Sequence, residues 1–102
     1  PKMIRHIVLF KFKKLYGQEN IDKARNEMKA KLDALPAVID VIKNFDTGIN
    51  INPIERAWDL VLDSEFESME DLETYRVHPA HQEVVDFFST VKDQAASVDY
   101  EF

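Results

Sequence analysis

The stretch "MIRHIVLFKFK", residues 3–13, carries Ile4, His6, Val8, Phe10 and Phe12 on one side of a period-two pattern and Met3, Ile7 and Leu9 on the other. Its aliphatic and aromatic side chains suit a strand. The apolar run is short and broken by Arg5, His6 and Lys11, which fits neither a signal peptide nor a membrane span. Both faces of this strand are largely apolar, and that decides the architecture. A small antiparallel sheet with helices on one side leaves its second face in water unless another subunit covers it. The first strand therefore predicts a sheet and a second copy of the chain to pack on it.

Downstream, Ile21, Ala24, Met28, Leu32 and Leu35 recur at steps of three and four, which predicts an amphipathic helix over residues 20–35, stopped by Pro36. "VIDVIKNFDTG", residues 38–48, reads as a second strand, and "INPIER" as a loop. "AWDLVLDSEF", residues 57–66, reads as a third strand with Trp58, Leu60, Leu62 and Phe66 on one face and Asp59, Val61, Asp63 and Glu65 on the other. The spacing of Ser68 and Asp71 resembles a capping box and starts a short helix. Pro79 disfavours helical geometry at His78 and suits the first position of a new helix, which runs to about Val91 with Val84, Val85, Phe88 and Val91 as its buried stripe. "SVDYEF", residues 97–102, closes the chain as a fourth strand. The order β-α-β-β-α-β, with the second helix broken in two, is the ferredoxin-like α+β arrangement of an antiparallel sheet with helices on one face. Two such sheets packed face to face make a homodimer.

The chain of 102 residues, 45% hydrophobic and 31% charged, suits a single domain, residues 1–102, with one core. Thirteen basic against nineteen acidic side chains, a net charge of −6, argue against a partner bound through its phosphates, so nucleic acid is not expected. Cysteine is absent, which removes disulfides and thiolate chemistry. No membrane association is expected, and a cytoplasmic location is the default. With Pro1 as the first residue, the native start is expected upstream or at Met3.

One segment concentrates titratable and aromatic groups: "YRVHPAHQEVVDFF", residues 75–88. If Pro79 is the first helical residue, His81 lies in the first turn, where the helix dipole and free N–H groups disfavour an imidazolium. A neutral imidazole is a competent general base near pH 7. Tyr75 could then donate a hydrogen bond to a carbonyl or enolate oxygen. The competing account makes His81 a core histidine on the face of Val84 and Val85, and Tyr75 an aromatic anchor. His6 interrupts an apolar face and requires a pocket or a buried partner. His78 reads as a junction residue. His78 and His81 are separated by the helix-breaking proline and have no Glu-x-x-His or cysteine support, so no metal site is expected. Asp59, Asp63 and Glu65 read as a solvated or dimer-facing row rather than a calcium loop. Lys11, Lys13 and Lys14 read as guards of a strand end rather than phosphate ligands.

"IRHIVLFKFK", "FESMEDLETYRVHPAHQEVVDFF" and the closing "DYEF" together resemble the stress-responsive dimeric α/β-barrel family, Dabb, over nearly the whole chain. The resemblance implies a homodimer whose sheets close into a barrel-like core. One relative by fold, olivetolic acid cyclase, closes a linear polyketide by a cofactor-free aldol condensation with a His and Tyr pair. By position in "YRVHPAH" that pair falls on His81 and Tyr75, and the histidine of the first strand on His6. Where the cyclase has a further tyrosine and a further histidine, this sequence has Met28 and Leu60. The resulting expectation is a pocket between the sheet and its own helices lined by His6, Trp58, Leu60, Tyr75 and His81, with Met28 and Phe88 contributing. It would take a small, mostly apolar carbonyl compound and need no cofactor, His81 acting as base and Tyr75 as oxyanion donor. The alternative is a non-enzymatic, stress-associated homodimer.

Overall fold

The computed structural model describes residues 2–14 and 17–102. Strand β1 (Ile4–Phe12) lies inside a four-stranded sheet, flanked by β3 (Leu60–Phe66) on one side and β4 (Lys92–Glu101) on the other, with β2 (Asn44–Ile49) outside β3. Every pairing is antiparallel, so the order β2-β3-β1-β4 is the ferredoxin-like arrangement. Register sets the faces. Ile4, His6, Val8 and Phe10 stand opposite Phe66, Ser64, Leu62 and Leu60 and point toward the helices. Ile7 and Leu9 stand beside Asp63 and Val61 on the other face, with Val98 and Ala96 of β4.

Helix α1 (Gly17–Asp33) buries Ile21, Met28 and Leu32, the stripe its sequence period demands. It starts three residues earlier than the apolar pattern indicates. Gly17 has φ of +78°, a conformation a side chain would strain. Helices α2 (Met69–Val77) and α3 (Pro79–Val91) meet at His78. Ser68 caps α2 by accepting the Asp71 N–H at 3.1 Å, which is the serine half of a capping box. His78 ends α2 and caps α3, its Nδ1 accepting the Ala80 N–H at 3.0 Å, so its proton sits on Nε2. Pro79 follows at the helix start, where its missing N–H costs nothing.

Three strand boundaries also differ from the sequence reading. Residues 38–43 form turns rather than strand. A 3-10 turn at Leu35–Ala37 receives the Val38 and Ile39 N–H groups on the Leu35 carbonyl at 3.0 Å, and Ile39 drops into the core. The apolar run there fills space under α1 instead of alternating. β3 begins at Leu60, after a turn at residues 55 and 56, and Asp59 faces inward rather than joining Asp63 and Glu65 in a surface row. β4 begins five residues before the expected 97, directly after α3. Its polar "KDQAA" start has no strand signal of its own, and the ladder of β1 supplies it, with a register irregularity at Lys11/Phe12. All ten residues of β4 are exposed, on both faces.

Candidate functional site

Three aromatic rings from three elements meet on the helix side of the sheet. His6 comes from β1, in register with Ser64 on β3 and Asp99 on β4. Its Nδ1 bonds the Asp99 carboxylate, and the buried Ser64 hydroxyl donates to its backbone carbonyl at 2.9 Å. A carboxylate only accepts, so Nδ1 carries a proton, and in the neutral ring Nε2 holds the lone pair. The partner that His6 requires is Asp99, on the exposed edge strand β4.

Tyr75 comes from α2 and is 1% exposed. Its ring packs on Phe66 at 5.1 Å, Phe45 at 5.9 Å, His6 at 6.2 Å and His81 at 4.4 Å between centroids. Its hydroxyl is buried and has no hydrogen-bond partner among the described residues. Burial pushes the phenol well above its ordinary pKa, so it stays a protonated donor at neutral pH.

His81 comes from the first turn of α3. The break at Pro79 leaves the last carbonyls of α2 without helical partners. His81 Nδ1 lies 2.9 Å from the Arg76 carbonyl, and Gln82 Nε2 donates to the same oxygen at 2.8 Å. A carbonyl only accepts, so Nδ1–H is the donor and Nε2 is the free base. The sequence feature that breaks the helix thus creates the acceptor that selects the tautomer. Burial lowers the His81 pKa; the hydrogen bond to Arg76 works the other way, and the charges of His6, Arg76 and His78 add to the lowering. The net effect keeps the ring neutral at pH 7.

The remaining residues named from the sequence lie elsewhere. Phe88 packs edge-on against Phe10 and Phe12 at 5.0 and 5.5 Å, and Leu60 pairs with Phe10, about 13 Å along β1 from His6 at ~3.3 Å per residue. Met28 is a buried core side chain of α1. Trp58 does not share a face with Tyr75: it lines a shallow apolar cleft of about 300 Å³ with Leu9 and Val61 on the open side of the sheet, where Lys11 Nζ sits 5.8 Å from its ring. Two other clefts have volumes of about 550 and 50 Å³, and none of the three is lined by His6, Tyr75 or His81. His6, Tyr75 and His81 thus meet as a cluster of three rings, with Met28, Leu60, Phe88 and Trp58 outside it. Among the described residues no group of three His, Asp or Glu side chains converges as a metal site. No helix among them is long and apolar enough to cross a membrane.

Residues 4–102 match the Stress responsive A/B Barrel Domain family, Dabb. The chain belongs to this family. A dimeric protein of unknown function with a ferredoxin-like fold from Bacteroides fragilis is 38% identical, with a TM-score of 0.91 over 98% of this chain and 96% of that one. The stress-response A/B barrel domain-containing protein HS1 of Arabidopsis thaliana is 28% identical over 99 residues, 95% of this chain and 87% of its own length. A hydroxynitrile lyase from Passiflora edulis shares the fold at a TM-score of 0.80, with 21% identity over 100% of this chain and 94% of that one. Dimers are thus represented among the structural neighbours of this Dabb domain.

Sequence reasoning missed Asp99 and Ser64. Both had a signal. Ser64 is the single polar residue in the alternation Leu60, Leu62, Ser64, Phe66, and Asp99 falls opposite His6 once the fourth strand is paired with the first.

Proposed function

We propose that this Dabb protein binds a small, mostly apolar carbonyl compound at the His6, Tyr75 and His81 cluster and moves a proton on it without a cofactor. His81 Nε2 removes a proton from the carbon next to the carbonyl, the electron pair moves onto the carbonyl oxygen, and the Tyr75 hydroxyl donates to the enolate that forms. Return of the proton from His81 to a different carbon of a conjugated enolate completes an isomerisation; attack of the enolate on a second carbonyl of the same molecule gives a cyclisation, the new alkoxide taking the proton back from His81. His6, held by Asp99, orients the substrate. The observation that carries this reading is the Tyr75 hydroxyl, a buried donor with no partner. Such a group costs about 1–3 kcal/mol unless something accepts its proton. Because the cluster is closed at the phenol, binding includes a shift of the half-buried His81 ring. That a lyase occurs on this fold says only that the fold tolerates such chemistry.

The test is a thermal-shift screen of small ketones, aldehydes and β-dicarbonyl compounds, followed by deuterium exchange at the α-carbon of the hits. Wild type exchanges the label, and His81→Gln and Tyr75→Phe do not. Hits that bind and exchange equally in both variants would sink the assignment. One feature favours a second reading, a non-enzymatic, stress-associated homodimer: Tyr75 packs as an ordinary aromatic anchor on Phe45 and Phe66. On that reading no carbonyl compound binds.

Either way we infer that two copies pack through the open sheet face, where Leu9, Val98 and Tyr100 stand exposed beside Ile7 and Val61. The working form proposed is a cytoplasmic homodimer that engages neither membrane nor nucleic acid, in keeping with the net charge of −6.

A further inference from the structure

A cleft of about 550 Å³ lies at the other end of the sheet from the imidazoles, between the start of α1 and the loop over residues 50–57. Small-molecule sites commonly have volumes of roughly 300–1,000 Å³. Its floor is tightly constructed. Asp59, 6% exposed, accepts the Phe12 N–H at 2.7 Å and pairs with Arg25, while its backbone bonds the Phe10 carbonyl and the Asn50 N–H, both at 2.9 Å. Arg25 is therefore held in place, with a further contact to Asp22 at 3.3 Å. Its Nε is buried and donates to no acceptor among the described residues.

The rim adds Lys11, whose one described partner is the Trp58 ring, and Lys14, which has no described carboxylate partner. Asp59 and Asp22 take up the charge of Arg25, which leaves Lys11 and Lys14 against Glu55 alone in the cleft lining. One positive charge suits a monoanion better than a phosphate dianion. Gly17 places the N-terminus of α1 on the same wall, which adds positive potential. The opposite wall is apolar. Ile51 is 96% exposed and Ile54 43%, and both line the cleft with Ile21. Two isoleucines held open to water beside an unsatisfied guanidinium N–H call for a ligand with one charged end and one greasy end.

We propose that this cleft binds a small amphipathic carboxylate, its head against Lys11, Lys14 and the Arg25 Nε and its body on Ile21, Ile51 and Ile54. The site uses none of the residues assigned to proton transfer, and it stands or falls separately from that assignment.

The test is an NMR titration of the ¹⁵N-labelled full chain with octanoate, with octanol and octylamine as controls. Octanoate shifts the amides of Lys11, Gly17 and residues 50–57 and saturates. Octanol binds about tenfold more weakly, a difference equivalent to one good charge contact, and octylamine does not compete. The Lys11→Glu, Lys14→Glu double variant keeps the dispersed spectrum of the fold and loses at least about tenfold in octanoate affinity. Tyr75→Phe binds octanoate as wild type does. The proposal is overturned by equal binding of octanol or octylamine, by an unaffected double variant, by shifts centred on Tyr75 and His81, or by no saturable shift at millimolar octanoate.

Discussion

Replacing Tyr75 by phenylalanine removes one oxygen atom and nothing else from the aromatic cluster. Where a tyrosine hydroxyl is hydrogen-bonded in the folded protein, that change costs about 0.5–1.5 kcal/mol. Here the hydroxyl is buried, 1% of the residue is exposed and no acceptor is described, so the native state carries a desolvated donor with nothing in return. The penalty for such a group is about 1–3 kcal/mol, and phenylalanine abolishes it while keeping the contacts to Phe45, Phe66 and His81. Tyr75→Phe is therefore expected to stabilise the protein by at least about 1 kcal/mol. For a chain of this length that is a rise in Tm of about 4 °C or more. The assay is paired urea and thermal denaturation at one fixed protein concentration, since association of copies adds to apparent stability. Carbonyl binding and α-proton exchange should fall in the same variant, so stability and function move in opposite directions, as they do when a site holds a strained or unsatisfied group for its ligand. A lower Tm for the variant would refute the reasoning, because it would mean that the hydroxyl already has an acceptor in the free protein.

His81 is expected to make stability depend on pH. Its folded pKa lies below the ordinary value of 6.5, so the unfolded chain takes up a proton first as pH falls. Stability is lost as pH falls through 6.5 toward the folded value, and His81→Gln loses less over that window in urea melts at pH 7.5, 6.5 and 5.5. Asp59→Ala strands the Arg25 guanidinium and the Phe12 N–H, and chemical denaturation should show a loss of about 3–5 kcal/mol. Phe88→Ala opens a void beside Phe10 and Phe12 and should cost about 3–5 kcal/mol in the same assay. Leu9→Glu on the open sheet face should give a monomer by light scattering with its helical circular dichroism retained; an unchanged dimer would move the interface elsewhere.

Most of the fold was legible because it rests on local pattern. Period two in β1, steps of three and four in α1 and the proline after His78 each dictate an element from neighbouring residues alone. The errors share one physical cause. Residues 38–43 look like a strand, yet no neighbour offers them a ladder until Lys43 donates to the Glu65 carbonyl at 3.0 Å, and Ile39 finds its burial in the core. Residues 92–96 look like loop and become strand because β1 has an unpaired edge to offer. The presence or absence of a backbone partner from a distant segment overrode propensity in both places.

The candidate site divides in the same way. Sequence alone determined that His81 would open a helix after a proline and that His6 would need company on an apolar face, since both follow from residues within a few positions of each other. Tertiary structure alone decided that the company is Asp99, ninety-three positions away, that Tyr75 lies between the two imidazoles with its hydroxyl unpaired, and that Trp58 turns to the other side of the sheet. Strand register, the packing of α2 and α3 on the sheet and the course of the chain before Leu60 set those three outcomes, and all are properties of which segments lie side by side.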